Sequence, residues 1–172
     1  MDRDIKHWEG KSFSGADVSK LCQDKVRVMK YRDLTKFKTL NEAWGPHKAL
    51  ILLYETSEGY GHWVAVFEVG KGVTEFFDPY GMLFDSELQW VSEDFKESTG
   101  MIPWLTKLIT EHGDCIYNDI QLQEFLNDTA TCGRWAGLRV TMRDMPLEVF
   151  VKKFLNQTFK PDWYVTALTM FV

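Results

Sequence analysis

Cysteine is scarce in this chain and poorly spaced for a framework. Only Cys22, Cys115 and Cys132 occur in 172 residues. An odd number of distant thiols excludes a disulfide-built scaffold, and the lack of any CxxC or HxxxH spacing excludes the common zinc patterns. No apolar run approaches the roughly 18 residues of a membrane-spanning helix. Internal repeats, low-complexity tracts and Pro/Ser-rich linkers are missing, so one domain over residues 1–172 is expected. Charge of one sign dominates only mildly: the net charge is −5 and the pI about 5.4. The basic residues Lys25, Arg27, Lys30, Arg32, Lys36 and Lys38 are interspersed and read as a solvated face. Net charge therefore gives nucleic-acid binding no support, although a local patch would allow it. The first residues carry no signal-peptide pattern, which argues against secretion.

What is present is an aromatic-rich globular composition. Hydrophobic residues make up 45% of the chain, with 12 Phe, 7 Trp and 6 Tyr, enough for a sizeable core. Residues 1–13 read as an irregular arm. Ser14 and Asp17 have capping-box spacing, so a short helix is expected up to about Cys22. Val26, Val28 and Tyr31 suggest an extended segment. Residues 48–55, 62–69 and 73–77 read as strands, with Gly70-Lys71-Gly72 as a tight hairpin turn between the last two. These strands are apolar on both alternating faces, which predicts a sheet covered by helices on both sides. Further helices are expected around 86–96, over 102–111, after Cys132, from Pro146 to Gln157, and from Pro161 to the C-terminus. A short strand is expected at 115–117. That mixed order predicts an α+β fold with a central mixed or antiparallel sheet.

Cys132 stands out among the thiols. It follows a polar loop and opens a helix, where unpaired backbone N–H groups and the positive dipole end favour thiolate over thiol. A nucleophilic thiol needs a base, and the base needs an orienting acceptor. Of the four histidines, His7 lies in the arm, His47 follows a proline in a turn, and His112 sits at a helix C-terminus. Only His62 begins a strong strand with an acid placed to meet it. Folding the hairpin about Gly70-Lys71 puts residues whose numbers sum to about 141 opposite each other. His62 and Asp78 fall within one residue of that register. Gln121 and Gln123 precede Cys132 and are the side chains available as oxyanion donors.

His62-Trp63 opening one strand, Phe77-Asp78-Pro79-Tyr80-Gly81 closing the next, a glutamine, and then Thr131-Cys132-Gly133-Arg134-Trp135 form a distinctive order. It resembles the cysteine peptidases that include adenain and the SUMO-specific proteases. The wording around Tyr117-Asn118, Gln123 and Cys132 looks most like the adenain relatives of large DNA viruses, virophages and related transposons. The resemblance spans about residues 48–142. It implies a papain-like fold of the adenain type with Cys132 as nucleophile, His62 as base, Asp78 as orienting acid and Gln123 as oxyanion donor. Gln121 is the competing donor, because nine residues separate Gln123 from Cys132, more than in SUMO-type members. Trp63 and Trp135 are candidates for the wall of the substrate groove, with core packing as the alternative for both and the favoured one for Trp135, and Gly133 would allow close backbone approach to substrate. The implied protein is a monomeric viral endopeptidase that cleaves virion or capsid precursors in the virion and host cytoplasm, without cofactor or metal. A ubiquitin- or SUMO-removing isopeptidase shares the chemistry. An acyltransferase would need a coenzyme A site, for which no motif is present.

Overall fold

Lys71 and Gly72 form the two-residue turn at the centre of the sheet, and Gly72 takes φ +73°, a conformation that favours glycine. In this computed structural model, which describes residues 2–172, the turn joins β3 (Tyr60–Gly70) to β4 (Val73–Phe77). β2 (Ala49–Ser57) pairs antiparallel with β3. Short β1 (Arg27–Lys30) and β5 (Asp114–Tyr117) add in parallel at the two edges. The five-stranded mixed sheet has the order β1-β2-β3-β4-β5.

Alternate residues of β2 feed two separate cores, as the doubly apolar strand pattern predicts. Ala49, Ile51 and Leu53 face α2 (Gly15–Leu21), α6 (Cys132–Thr141), α7 (Leu147–Leu155) and α8 (Pro161–Thr169). Leu50, Leu52 and Tyr54 face α3 (Leu40–Trp44), α5 (Trp104–His112) and the 3₁₀ turns Tyr31–Lys36 and Ser86–Trp90. The class is α+β.

Helix α6 crosses β3 and is pinned at its far end by a buried ion pair. Arg139 Nε and Nη2 donate to Glu75 Oε1 and Oε2 of β4 at 2.7 and 2.9 Å. Its other bonds go to the carbonyls of Met142 and Met145. A planar five-donor guanidinium can satisfy a carboxylate and two carbonyls at once. Removing one partner of such a pair costs roughly 3–5 kcal/mol because the other charge stays buried. The pair holds α6 against the sheet and thereby sets where Cys132 lies at the other end.

The structure departs from the expected elements in several places; among them, Tyr31 opens a 3₁₀ turn rather than extending the strand, and α3 was not expected. Residues 1–13 are not an irregular arm throughout, since Asp2–Glu9 forms helix α1. Its Ile5 is buried and the helix packs on α8. A polar eight-residue segment has little helical stability of its own, so tertiary packing decides it. The helix expected at 86–96 is split into the Ser86–Trp90 turn and α4 (Glu93–Thr99), because Ser92 caps a new start by accepting from Phe95 N. Pro146 lies one position before the first residue of α7, and α8 stops at Thr169. The capping box at Ser14 is present with both bonds. The basic stretch is largely engaged at short range. Lys30 and Arg32 pair with Glu55 and Glu58, Lys36 pairs with Asp33, and Arg27 binds the Glu42 and Ala43 carbonyls.

Candidate active site

Residues 60 to 62 bring β3 to the mouth of a cleft of about 600 Å³. At Gly61 an added Cβ would stand 1.8 Å from the Tyr54 carbonyl oxygen, so the strand can run this close to β2 only with glycine there. His62 follows and is 7% exposed. The observed β3–β4 register sums to 142, seen in Ala65 opposite Phe77. His62 and Asp78 are therefore diagonal neighbours on one face rather than direct partners. His62 Nε2 lies 2.8 Å from Asp78 Oδ1.

Asp78 is fully buried and held by its turn. Its Oδ1 also accepts from Tyr80 N at 2.8 Å, the Asx arrangement an Asp-Pro turn favours. Asn118, 1% exposed, donates through Nδ2 to the Asp78 carbonyl at 2.8 Å. The Leu122 and Gln123 amides both donate to the Pro79 carbonyl, at 2.8 and 3.0 Å. Gly81, at φ +75°, permits this stitching, since a Cβ there would lie 2.7 Å from the Ile120 carbonyl carbon. The acid turn and the glutamine loop thus form one unit.

Cys132 opens α6 at the floor of the same cleft. Thr131, at the N-cap, makes no side-chain cap bond, and its hydroxyl donates to Asp162 Oδ1. The first-turn amides of α6 are therefore left without a side-chain cap beside the thiol. Asp162 also accepts from Trp135 Nε1 at 2.9 Å and Glu124 N at 2.8 Å. One buried carboxyl from α8 thus fastens both ends of the 124–131 loop, and Ala130 N adds a bond to the Glu9 carbonyl.

Electrostatics couple the thiol to the imidazole. Burial works against charge on His62. The charge and hydrogen bond of Asp78, together with Cys132 as a hydrogen-bonding neighbour, outweigh burial and hold the imidazole well above its usual value. With Nε2 committed to Asp78, Nδ1 is the nitrogen left for Cys132. Burial pushes the other two thiols, Cys22 and Cys115, up to about 11. They are poor nucleophiles at neutral pH.

The structure separates the two glutamines. Gln123 is 1% exposed, lines the cleft with Cys132, and donates through Nε2 to Tyr80 Oη at 3.3 Å. Gln121 is exposed and donates to the Gln123 carbonyl. Trp63 lines the cleft, and its Nε1 donates to the Phe13 carbonyl at 3.0 Å. The other two candidate substrate contacts, Trp135 and Gly133, are buried in the packing. Trp135 is fully buried among Phe150, Phe154 and Asp162, because it lies on the core face of α6. Gly133 faces Phe13, Trp63 and Val18, where a Cβ would come within 2.8, 3.1 and 3.3 Å. It allows close packing of the N-terminal segment instead of lining the cleft.

Four contributors had no role assigned from the sequence. Tyr80 stacks on His62 with ring centroids 4.3 Å apart, and Phe125 stacks on Tyr80 at 4.0 Å. Asp162 carries no motif beyond following a proline. Glu87, inside an acidic stretch, lies with Oε1 4.0 Å from His62 Nε2. His62, Asp78 and Glu87 are close enough for a shared cation, but a proton between His62 and Asp78 already satisfies that geometry.

A buried carboxylate–imidazole pair beside a thiol at a helix N-terminus, on an α+β frame, defines the class of site. No protein-family model matches the chain. Over 98% of its length it is 30% identical to the uncharacterized protein V9 of the Sputnik virophage, covering 99% of that protein. The chain belongs to the family of that virophage protein. The central domain of the uncharacterized Lpg1148 protein from Legionella pneumophila aligns with 93% of this chain and 96% of its own. That alignment has a TM-score of 0.43 and 14% identity, a likeness too loose to assign a shared fold.

Proposed function

We propose that this protein is a viral cysteine endopeptidase of the adenain type, with a papain-like catalytic arrangement, that cleaves virion or capsid precursor proteins. The observation that carries the reading is the convergence of Cys132, the His62–Asp78 pair and Gln123 on one cleft. The virophage relative supports a viral setting. Among the described residues no helix is long and apolar enough to cross a membrane.

The chemistry follows from these positions. His62 holds the Cys132 proton as an imidazolium, and the thiolate attacks the scissile carbonyl carbon. Negative charge moves to the carbonyl oxygen, where Gln123 Nε2 and the Cys132 N–H stabilise it. His62 then protonates the leaving amine as the C–N bond breaks, leaving a thioester. Water, deprotonated by His62, cleaves the thioester and restores the thiol. Asp78 keeps the imidazole oriented throughout. Gln123 has to turn from Tyr80 to the oxyanion, a change its long 3.3 Å bond makes inexpensive.

Incubation with virion precursors, followed by mass-spectrometric sequencing of new termini, tests the proposal. Cleavage that disappears in Cys132→Ala supports it. Equal cleavage by Cys132→Ala would remove the nucleophile and the proposal with it.

A further inference from the structure

The mechanism above leaves one buried carboxyl of the cleft unused. Glu87 is 6% exposed, and its Oε1 has no hydrogen-bond partner among the described residues. That oxygen lies 4.0 Å from His62 Nε2, the nitrogen already bonded to Asp78. The distance is too long for a hydrogen bond and short for a charge interaction. A buried carboxyl without a partner is costly, so this position calls for a role.

We propose that Glu87 is a positioning residue whose negative charge favours the protonated form of His62 opposite Cys132, an inference that rests on the peptidase reading. The groups around it leave it free for this. Asp78 and Tyr80 face it from the turn after β4, and His62 from β3. From β2, Tyr54 gives its hydroxyl to Asp85. Lys30 of β1 lines the same cleft, but Glu58 and Glu55 hold its ammonium at 2.5 and 3.2 Å. Cys132 of α6 neighbours His62 as well.

Burial pushes Glu87 up to about 7, with the His62 charge opposing and the Asp78 charge adding to that shift. Below that pH the carboxyl is neutral and exerts no charge on the imidazole. Above it, an ionised Glu87 favours imidazolium and delays its loss of a proton. The ion pair with Cys132 then persists to higher pH than Asp78 alone would allow.

An NMR pH titration of ¹⁵N-histidine-labelled protein tests this, with His62 assigned by comparison with His62→Ala. In Glu87→Gln the His62 midpoint is expected to fall by about one pH unit. In Glu87→Asp, which keeps the charge, it is expected to stay near the parent. An unmoved midpoint in Glu87→Gln overturns the proposal. Should Glu87→Gln fail to fold, the parent decides: a second inflection of the His62 shifts near neutral pH is expected, and a single-step titration overturns it. The measurement needs no substrate. Failure to cleave any virion protein therefore counts against the peptidase reading, and an unmoved midpoint counts against the role of Glu87.

Discussion

His62 Nε2 and Asp78 Oδ1 lie 2.8 Å apart in a pair that is almost wholly buried. Asp78→Asn keeps the shape and removes the charge. Cleavage, or alkylation of Cys132, is expected to slow by about 10²–10⁴-fold. The pair also makes stability depend on pH. His62 is held above its ordinary 6.5, so its contribution is full below that value and is lost as pH rises through the folded-state value. Urea denaturation at pH 6 and pH 9 should show a larger loss of stability in the parent than in Asp78→Asn. Equal losses would mean the pair is not charged in the folded protein.

Gln123 and Gln121 differ in place, and their substitutions should differ in effect. Gln123→Ala is expected to lower kcat by about 10²–10³-fold, the usual consequence of losing one oxyanion donor. Gln121→Ala should leave kcat within about two-fold, as surface substitutions usually do little. Steady-state kinetics on a mapped cleavage peptide would check both, and the reverse pattern would reassign the donor.

Asp162→Ala removes the acceptor shared by Thr131, Trp135 and Glu124. Several buried donors lose their partner together, so a loss of about 2–4 kcal/mol is expected in chemical denaturation. Activity should fall further than stability predicts, because the loop that leads to Cys132 is released. Full activity in the folded fraction would show that the loop holds its shape without Asp162.

Gly133→Ala puts a methyl 2.8 Å from the Phe13 Cβ and 3.1 Å from Trp63 Cδ1. Overpacking of this kind costs about 1–3 kcal/mol. A lower Tm with little change in KM would fit a packing role. A large rise in KM at unchanged Tm would return Gly133 to substrate contact.

Much of the site was legible because it depends on local order. A hairpin with a glycine turn brings residues 16 apart together by backbone geometry alone, and parity decides the face. The sum of 140 differs from the observed 142 by an even step, so His62 and Asp78 share a face although the estimate of 141 was off by one. The thiol at a helix start was legible for the same reason. Trp135 stood between core packing, the favoured reading, and substrate contact; the sequence alone does not reveal which side of α6 meets the sheet, and the structure puts Trp135 in the core. Helix α1 was missed because its stability comes from α8, more than 150 residues away.

From the sequence alone came the α+β class, the central hairpin, the doubly covered sheet and the set Cys132, His62 and Asp78. These follow from periodicity, turn chemistry and short-range spacing, which act over a few residues to about twenty. Tertiary structure alone buried Gln123 in the cleft and left Gln121 exposed, packed Gly133 against Phe13 and Trp63, and brought Asp162, Tyr80 and Glu87 to the site. Those outcomes depend on how distant elements dock, through the Arg139–Glu75 pair, the Asp162 bonds and the Pro79 carbonyl. Side-chain partners brought together across the fold leave no local pattern in the order of residues.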